Sequence, residues 1–178
     1  MRCIYVFLAS VLLSSCASVP PTEQYLDPKT GATILRIDAP FYLYRRVARV
    51  REVQVQFVQM APVYINRAGK RQLYLWLEAP LEQAPAIAEF QLDGYTMSLP
   101  LATVDRRSIG IGEHVYSRAA GFGASAYYEI SPEQLARIAG ATQLSLAVNE
   151  GKTTFSSSGE NARAAASTRV LLQSLVSS

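Results

Sequence analysis

The sequence predicts a mainly β fold, an antiparallel β-sandwich or strongly curved sheet, with a short internal helix and a C-terminal helix. Three features support this prediction. Short stretches that alternate apolar and polar residues recur along the chain, turn-forming residues separate them, and only two stretches have a helical pattern. The order of the strands in the sheet does not follow from these patterns.

The composition is that of one folded domain. The chain has 178 residues, of which 49% are hydrophobic and 17% are charged, so it can bury a core. The formal net charge of +3 is far from the basic balance of a nucleic-acid binder, and we predict no nucleic-acid partner. The two cysteines are Cys3 and Cys16, so the chain that follows them contains no disulfide pair and the core must stabilise the fold.

The first strands are predicted between residues 32 and 60. A turn at 27–31, which contains a proline and a glycine, leads into a strand at 32–37. Two further strands are predicted at 41–50 and 52–60, where β-branched and aromatic residues alternate with polar ones.

The next strands are bounded by a proline and a loop. After Pro62 a short strand at 63–65 reaches a hairpin loop at 66–69. The strand at 71–78 follows, with leucines on one face and large side chains on the other. Both of its faces are therefore expected to be covered.

The most specific turn signal is Asp93-Gly94. This dipeptide favours a two-residue type I′ turn between strands at 86–92 and 95–99, because both central residues need positive φ. Weaker strand predictions fall at 113–117 and 126–130.

A helix signal follows these strands. Ser131 is a favourable N-cap, Pro132 suits the first turn, and Gln134 completes a capping box, so a short helix is predicted to end at Gly140.

The last part of the chain predicts a hairpin and a helix. Strands at 143–148 and 153–155 flank a turn at 149–152, and the alanine-rich segment 160–176 is expected to pack on the sheet as a terminal helix.

The first fifteen residues have the pattern of an export signal. Arg2 gives a basic start, residues 4–13 form an apolar run, and the small Ser14 and Ser15 precede Cys16. The run is too short to span a bilayer, which requires about 20 apolar residues.

The run Leu13-Ser14-Ser15-Cys16 resembles the lipobox of Gram-negative bacterial lipoproteins, and the following chain resembles uncharacterised β-rich lipoproteins of this kind. The resemblance implies that diacylglycerol is attached to the Cys16 thiol and that the chain is cleaved before Cys16 and acylated there. Several acyl chains would make the anchoring stable. The alternatives are an ordinary secretory signal with a cysteine near the cut, or a cytoplasmic protein with a hydrophobic first element.

This resemblance divides the chain into three parts. Residues 1–15 are the signal peptide, residues 16–24 are the lipidated cysteine and a proline-containing tether, and residues 25–178 are one β-rich domain. Ala17 stands where lipoproteins retained in the inner membrane usually have aspartate. The resemblance therefore implies the periplasmic face of the outer membrane rather than the inner membrane.

No catalytic or cofactor pattern is evident in the sequence. His114 is the sole histidine, and its neighbour Glu113 would point to the opposite face of a strand. The glycine pattern at 121–126 formally fits a dinucleotide fingerprint but precedes a predicted strand instead of a helix. We therefore predict no catalytic residue, no metal and no cofactor.

Four acidic residues could supply a hydrolytic pair only if the fold brought two of them together. A pair of this kind is defined by a separation in space that the sequence does not give, so surface acids are the preferred interpretation. The four residues are Glu78, Glu82, Glu89 and Asp93.

Arginines cluster in the predicted strands at 41–60. The candidate interaction surface consists of Arg45, Arg46, Arg49, Arg51 and Trp76. Guanidinium groups pair with lipid phosphates, peptidoglycan carboxylates or an acidic protein. The alternative is that these arginines keep an exposed strand soluble and block edge-to-edge pairing.

The resulting functional prediction is a membrane-anchored periplasmic lipoprotein that is not an enzyme and binds an envelope protein. Its predicted partners are the membrane, through lipid on Cys16, and that protein. An accessory or structural component of an envelope assembly or secretion system is the alternative. A hydrolase of envelope polymers is less favoured, because no site is visible in the sequence.

The lipobox interpretation predicts that Cys16→Ser abolishes lipidation, because serine offers no thiol for diacylglycerol. We expect the variant to accumulate uncleaved and to lose the acyl mass found at the wild-type amino terminus by mass spectrometry. A Cys16→Ser protein that matures normally and stays in the membrane would contradict this interpretation.

Overall fold

The computed structural model describes residues 21–49, 52–117, 122–148, 151–157 and 159–177. These residues form ten strands and two helices. The strands are β1 (Thr22–Leu26), β2 (Thr33–Ile37), β3 (Phe41–Arg49), β4 (Glu52–Arg67), β5 (Lys70–Ala79), β6 (Ile87–Leu92), β7 (Tyr95–Thr103), β8 (Ala124–Glu129), β9 (Leu144–Val148) and β10 (Thr153–Ser156). The helices are α1 (Pro132–Gly140) and α2 (Ala162–Val176).

Eight of the strands form a closed antiparallel barrel. The order around it is β4-β3-β10-β9-β6-β7-β8-β5, and the pairing of β5 with β4 closes the circuit. The mainly β prediction is thus confirmed, but the sandwich is wrong. The sheet curves until its two ends meet, because β4 pairs with β3 along one part of its length and with β5 along another.

Strands β1 and β2 extend the sheet beyond the closed circuit. β2 pairs with β4 on the same side as β3, and β1 pairs with β2. Thr22, Glu23 and Gln24, which the sequence predicts as tether, therefore belong to the first strand.

The barrel interior is a packed core. An eight-stranded barrel is just wide enough for side chains to fill it, and one alternating set of strand residues does so here. The large, fully buried members of this set are Phe41, Leu43, Val58, Met60, Leu75, Leu77, Phe90, Leu99, Tyr128, Leu146 and Phe155.

Pro62 lies inside β4 instead of ending it. The predicted strands at 52–60 and 63–65 are therefore one strand of sixteen residues. Proline has no N–H to donate to a neighbouring strand. It is tolerated because β3 pairs with β4 up to Met60 and β2 pairs from Val63 onward, so Pro62 lies opposite the break between them.

The predicted turn at Asp93-Gly94 is confirmed, whereas the hairpin loop predicted at 66–69 is a two-residue turn, because Asn66 and Arg67 still belong to β4. Ala68 and Gly69 join β4 to β5 with φ of 50° and 84°, and Asp93 and Gly94 join β6 to β7 with φ of 50° and 87°. Positive φ at both central residues matches the right-handed twist of the flanking strands.

The two helices pack against each other, and α2 also packs beside the β1–β2 extension. α1 has the predicted capping box at Ser131 and Gln134. The buried residues of α2 include Ala164 and Leu171, and the Ser167 hydroxyl donates to Asp38 beyond the end of β2 (2.7 Å). No helix in the described part of the chain is long and apolar enough to cross a bilayer.

The junction between β3 and β10 has few ladder hydrogen bonds. Among the described residues, Ser156 opposite Tyr44 is the only paired position there. The side chain of Asn161 adds a second link, since its Oδ1 accepts from the Tyr42 N–H (2.8 Å) and its Nδ2 donates to the Tyr42 carbonyl (2.9 Å). An amide side chain thus takes the place of a strand residue at the closure of the barrel.

We expect Asn161→Ala to weaken this closure. Two half-buried backbone groups of Tyr42 lose their partners, which should lower the free energy of unfolding by about 1–3 kcal/mol. Chemical denaturation would measure the loss, and amide exchange at Tyr42 should accelerate. Gln173→Ala, at an exposed position of α2, is the control, and equal effects of the two substitutions would contradict the role of Asn161.

Candidate functional site

The β3–β4 hairpin projects beyond the paired part of the barrel. β5 pairs with β4 only from Gln59 onward, and β10 pairs with β3 only at Tyr44. Among the described strands, residues 52–58 of β4 therefore pair with β3 alone. We call residues 45–49 and 52–57 the arm and the unpaired side of residues 52–58 the open edge.

The outer face of the arm combines exposed apolar and basic side chains. Val55 lies opposite Arg46 and Val53 lies opposite Ala48. The two valines are 54% and 65% exposed, and Arg46 and Ala48 are also exposed. A single exposed valine is ordinary, and two neighbours on one face of a projecting hairpin make this face a candidate contact surface.

An aromatic cluster lies at the base of the arm on the same face. It consists of Tyr42, Tyr44, Phe57 and Phe122, all half-buried. The ring of Phe57 meets Phe122 edge to face with centroids 4.9 Å apart, and both tyrosine rings lie 6.1–6.3 Å from Phe57. Burial, with a smaller contribution from Glu160, raises the pKa of Tyr44 to about 12, so this hydroxyl stays neutral near pH 7.

The predicted arginines occupy different places on the arm. Arg46 is exposed, whereas Arg45 is half-buried, with its guanidinium 5.9 Å from the ring centroid of Phe155. Arg49 ends β3, and Arg51 lies outside the described residues.

Positive charge is concentrated in the stretch of sequence that contains the arm. Residues 45–57 contain four arginines and one glutamate, a formal charge of +3. This equals the formal charge of the entire chain, which has 17 basic and 14 acidic residues. The rest of the chain is thus neutral on balance.

Trp76 is not part of the exposed surface. It is 3% exposed and stacks on Tyr116 with ring centroids 4.9 Å apart, while its Nε1 donates to Ser125 (3.0 Å). The long connection between β7 and β8 covers it. The predicted strand at 113–117 is wrong, because this segment lies over the barrel and buries Val115 and Tyr116 there.

A buried carboxylate fixes this connection to the β1–β2 turn. Asp27 is 1% exposed and accepts from the backbone N–H groups of Lys29 (2.9 Å), Thr30 (3.1 Å) and Gly112 (2.7 Å). Burial by itself would raise the pKa of Asp27, but these hydrogen bonds outweigh it and hold the pKa below its usual value. A Cβ at position 112 would lie 2.6 Å from Oδ1 of Asp27, so this close approach requires glycine.

A cleft of about 450 Å³ lies between this connection and β2 to β4, lined in part by Arg36, Asp38 and Gln59. Its charged groups already have internal partners. Arg36 pairs with Glu23 (2.6 Å) and lies between the rings of Tyr25 and Tyr116, and Asp38 accepts from Arg163 (2.6 Å). Sequence reasoning missed this cleft because its residues come from distant parts of the chain.

The residues considered for catalysis have separate partners. His114 Nε2 lies 3.2 Å from Arg106 Nη1, whereas Glu113 pairs with Lys29 (3.2 Å). Glu78 is fully buried on β5, and Asp93 accepts from the Gln143 N–H (2.7 Å) beside its turn. No three His, Cys, Asp or Glu side chains in the described ranges are placed to bind a metal.

The glycine pattern at 121–126 leads into β8 rather than into a helix. A side chain on Gly123 would clash with the carbonyl oxygen of Leu81, so this glycine permits close packing of two loops. Gly121 lies outside the described residues.

Comparisons of the chain with protein-family models, with curated proteins and with solved structures find no match.

The geometry around Asp27 predicts an acid-dependent stability. Because its folded-state pKa lies below the unfolded value of about 3.9, its stabilising contribution is complete above that pH and is lost as the pH falls through the folded-state pKa. We expect Asp27→Asn to lower the free energy of unfolding at neutral pH by about 1–3 kcal/mol. Below about pH 4, the free energy of unfolding of this variant should fall less steeply with decreasing pH than that of the wild type.

Denaturation between pH 3 and 7 would measure both effects. Asp105→Asn is the matched control, since Asp105 is exposed and its carboxylate accepts from the Arg107 N–H (3.0 Å). If the free energy of unfolding of Asp27→Asn fell below pH 4 as steeply as that of the wild type, the assigned role of Asp27 would be contradicted.

Proposed function

We propose that this protein is a lipoprotein of the Gram-negative envelope, anchored by lipid on Cys16 to the periplasmic face of the outer membrane. Its barrel binds an extended segment of another envelope protein. The proposal assigns no enzymatic activity and no cofactor. The lipobox supports the anchor, and the open edge of β4 supports the binding role.

The open edge is the observation that carries the binding role. A strand with no neighbour presents a row of backbone donors and acceptors that a partner strand can satisfy. Residues 52–58 have no strand neighbour on this side in the described part of the chain. Backbone hydrogen bonds would give such a complex its affinity, and contacts of alternate side chains would give it specificity.

The side chains next to this edge fit an apolar partner strand. Val53, Val55 and Phe57 point to the same face of β4, since side chains alternate along a strand. Phe57 belongs to the aromatic cluster, and aromatic rings that are half-buried in the free protein supply large contact areas at low entropic cost. We therefore expect the partner segment to place apolar side chains on this face.

The proposal predicts a partner that crosslinks at the arm in the native cell. With the photoreactive residue p-benzoylphenylalanine at Val55, we expect one specific adduct of higher mass after irradiation. The same residue at Thr96, exposed on β7 across the barrel, is the control. Phe57→Ala should reduce the Val55 adduct several-fold by removing contact area at the base of the arm.

Two further measurements control for unfolding of the variant and identify the partner. Thermal unfolding of Phe57→Ala would show that the barrel is intact, and mass spectrometry of the adduct would identify the segment captured. If Val55 captures no protein, or if Thr96 captures the same proteins, the arm is not the binding site and the proposed role is wrong.

A further inference from the structure

We infer that the cleft between the β7–β8 connection and strands β2 to β4 binds a neutral sugar, a hexose or an N-acetylhexosamine. This inference does not rest on the proposed anchor or on the proposed partner. The cleft lies past the open edge, since Gln59, one of its lining residues, pairs with β3 on one side and with β5 on the other.

The side chain of Gln59 carries the inference. Gln59 is 7% exposed and lines the cleft. Its neighbours Val58 and Met60 point into the barrel core, so the amide lies on the outer face of β4. Among the residues that the structure describes, this amide has no hydrogen-bond partner. A buried primary amide without partners lowers stability, and a role in binding accounts for its position.

The cleft has the size of a small-molecule site. Its volume of about 450 Å³ falls in the range of about 300–1,000 Å³ that is typical of such sites. Pro40 gives the lining an apolar surface, which suits the C–H groups of a sugar ring. Tyr42 lines the cleft and also belongs to the aromatic cluster, so a substitution of Tyr42 would affect both sites.

The charges around the cleft favour a neutral ligand. Arg36 pairs with Glu23 (2.6 Å), and Asp38, whose side chain is 6% exposed, pairs with Arg163. Each charge in the lining thus has an opposite charge beside it. An ionic ligand would lose its hydration in the cleft without meeting an uncompensated charge of opposite sign.

The remaining hydrogen-bonding capacity of the lining fits hydroxyl groups. A guanidinium has five N–H groups, and Arg36 uses three of them toward Glu23 and the Val115 carbonyl. Asp38 and Gln59 add acceptors, and the Gln59 amide adds two further donors. Because a hydroxyl both donates and accepts, a molecule with several hydroxyls satisfies this mixed set, whereas an apolar molecule would leave it without partners.

The test measures sugar binding to the purified full-length protein in a detergent without a sugar headgroup. The probes are glucose, galactose and N-acetylglucosamine, with anionic glucuronate and cationic glucosamine as charged counterparts. In saturation-transfer difference NMR, we expect signals from at least one neutral sugar and from neither charged sugar. Titration then gives the Kd of the neutral sugar.

A matched pair of variants localises the binding. Gln59→Met keeps the length of the side chain and removes the amide, so it should raise the Kd about tenfold or more. The same substitution removes a buried group without partners, so the midpoint of thermal unfolding should stay the same or rise. Gln91→Met is the control, since Gln91 is exposed on β6, opposite β4 in the barrel circuit, and its Kd should equal that of the wild type.

Three outcomes would overturn the inference. They are the absence of binding by all three neutral sugars, equal binding of a charged sugar, and an unchanged Kd in Gln59→Met. A weaker affinity of Gln59→Met together with a lower unfolding midpoint would assign Gln59 to the structure of the cleft instead of to the ligand. Because the protein is purified without a partner, each outcome is independent of the crosslinking result at Val55.

Discussion

The structure depends on the length and the divided pairing of β4. Its sixteen residues pair with β3 over one part, with β2 over another, and with β5 on the opposite side. Because β4 pairs with different strands along its length, the sheet curves until β5, at the far end of the eight-strand order, pairs with β4 and closes the barrel. Pro62 contributes to this arrangement, because a residue without an N–H suits the position where β3 has ended and β2 has not begun.

Closure has consequences at two places. The β3–β10 junction has one ladder pair among the described residues and is supplemented by the Asn161 amide. The part of the hairpin that extends past the barrel keeps an edge without a neighbouring strand among the described residues. Proteins usually protect such edges with charge or a covering segment. Here exposed valines and an arginine lie beside the edge.

The outer side of the barrel is organised by buried polar groups rather than by surface ion pairs. The buried Asp27 carboxylate accepts three backbone hydrogen bonds. Hydrogen bonds to a charged group contribute about 1.5–3 kcal/mol each to stability. The nearby Lys29–Glu113 pair is more than half exposed on both sides and contributes at most about 1 kcal/mol. The carboxylate therefore fixes the β7–β8 connection, and the connection buries Trp76 beneath Tyr116.

The sequence by itself determined the features that depend on neighbouring residues. The hairpin between β4 and β5, the turn at Asp93-Gly94, the capping box of α1, the alternating strands and the cluster of arginines all follow from chemistry within a few positions. The tertiary structure decided the closure of the barrel, the continuity of β4 through Pro62, the irregular course of 113–117, the burial of Trp76 and the open edge. Each of these depends on which distant segment lies alongside, since a backbone group or an aromatic ring is exposed or covered only by partners that local pattern does not specify.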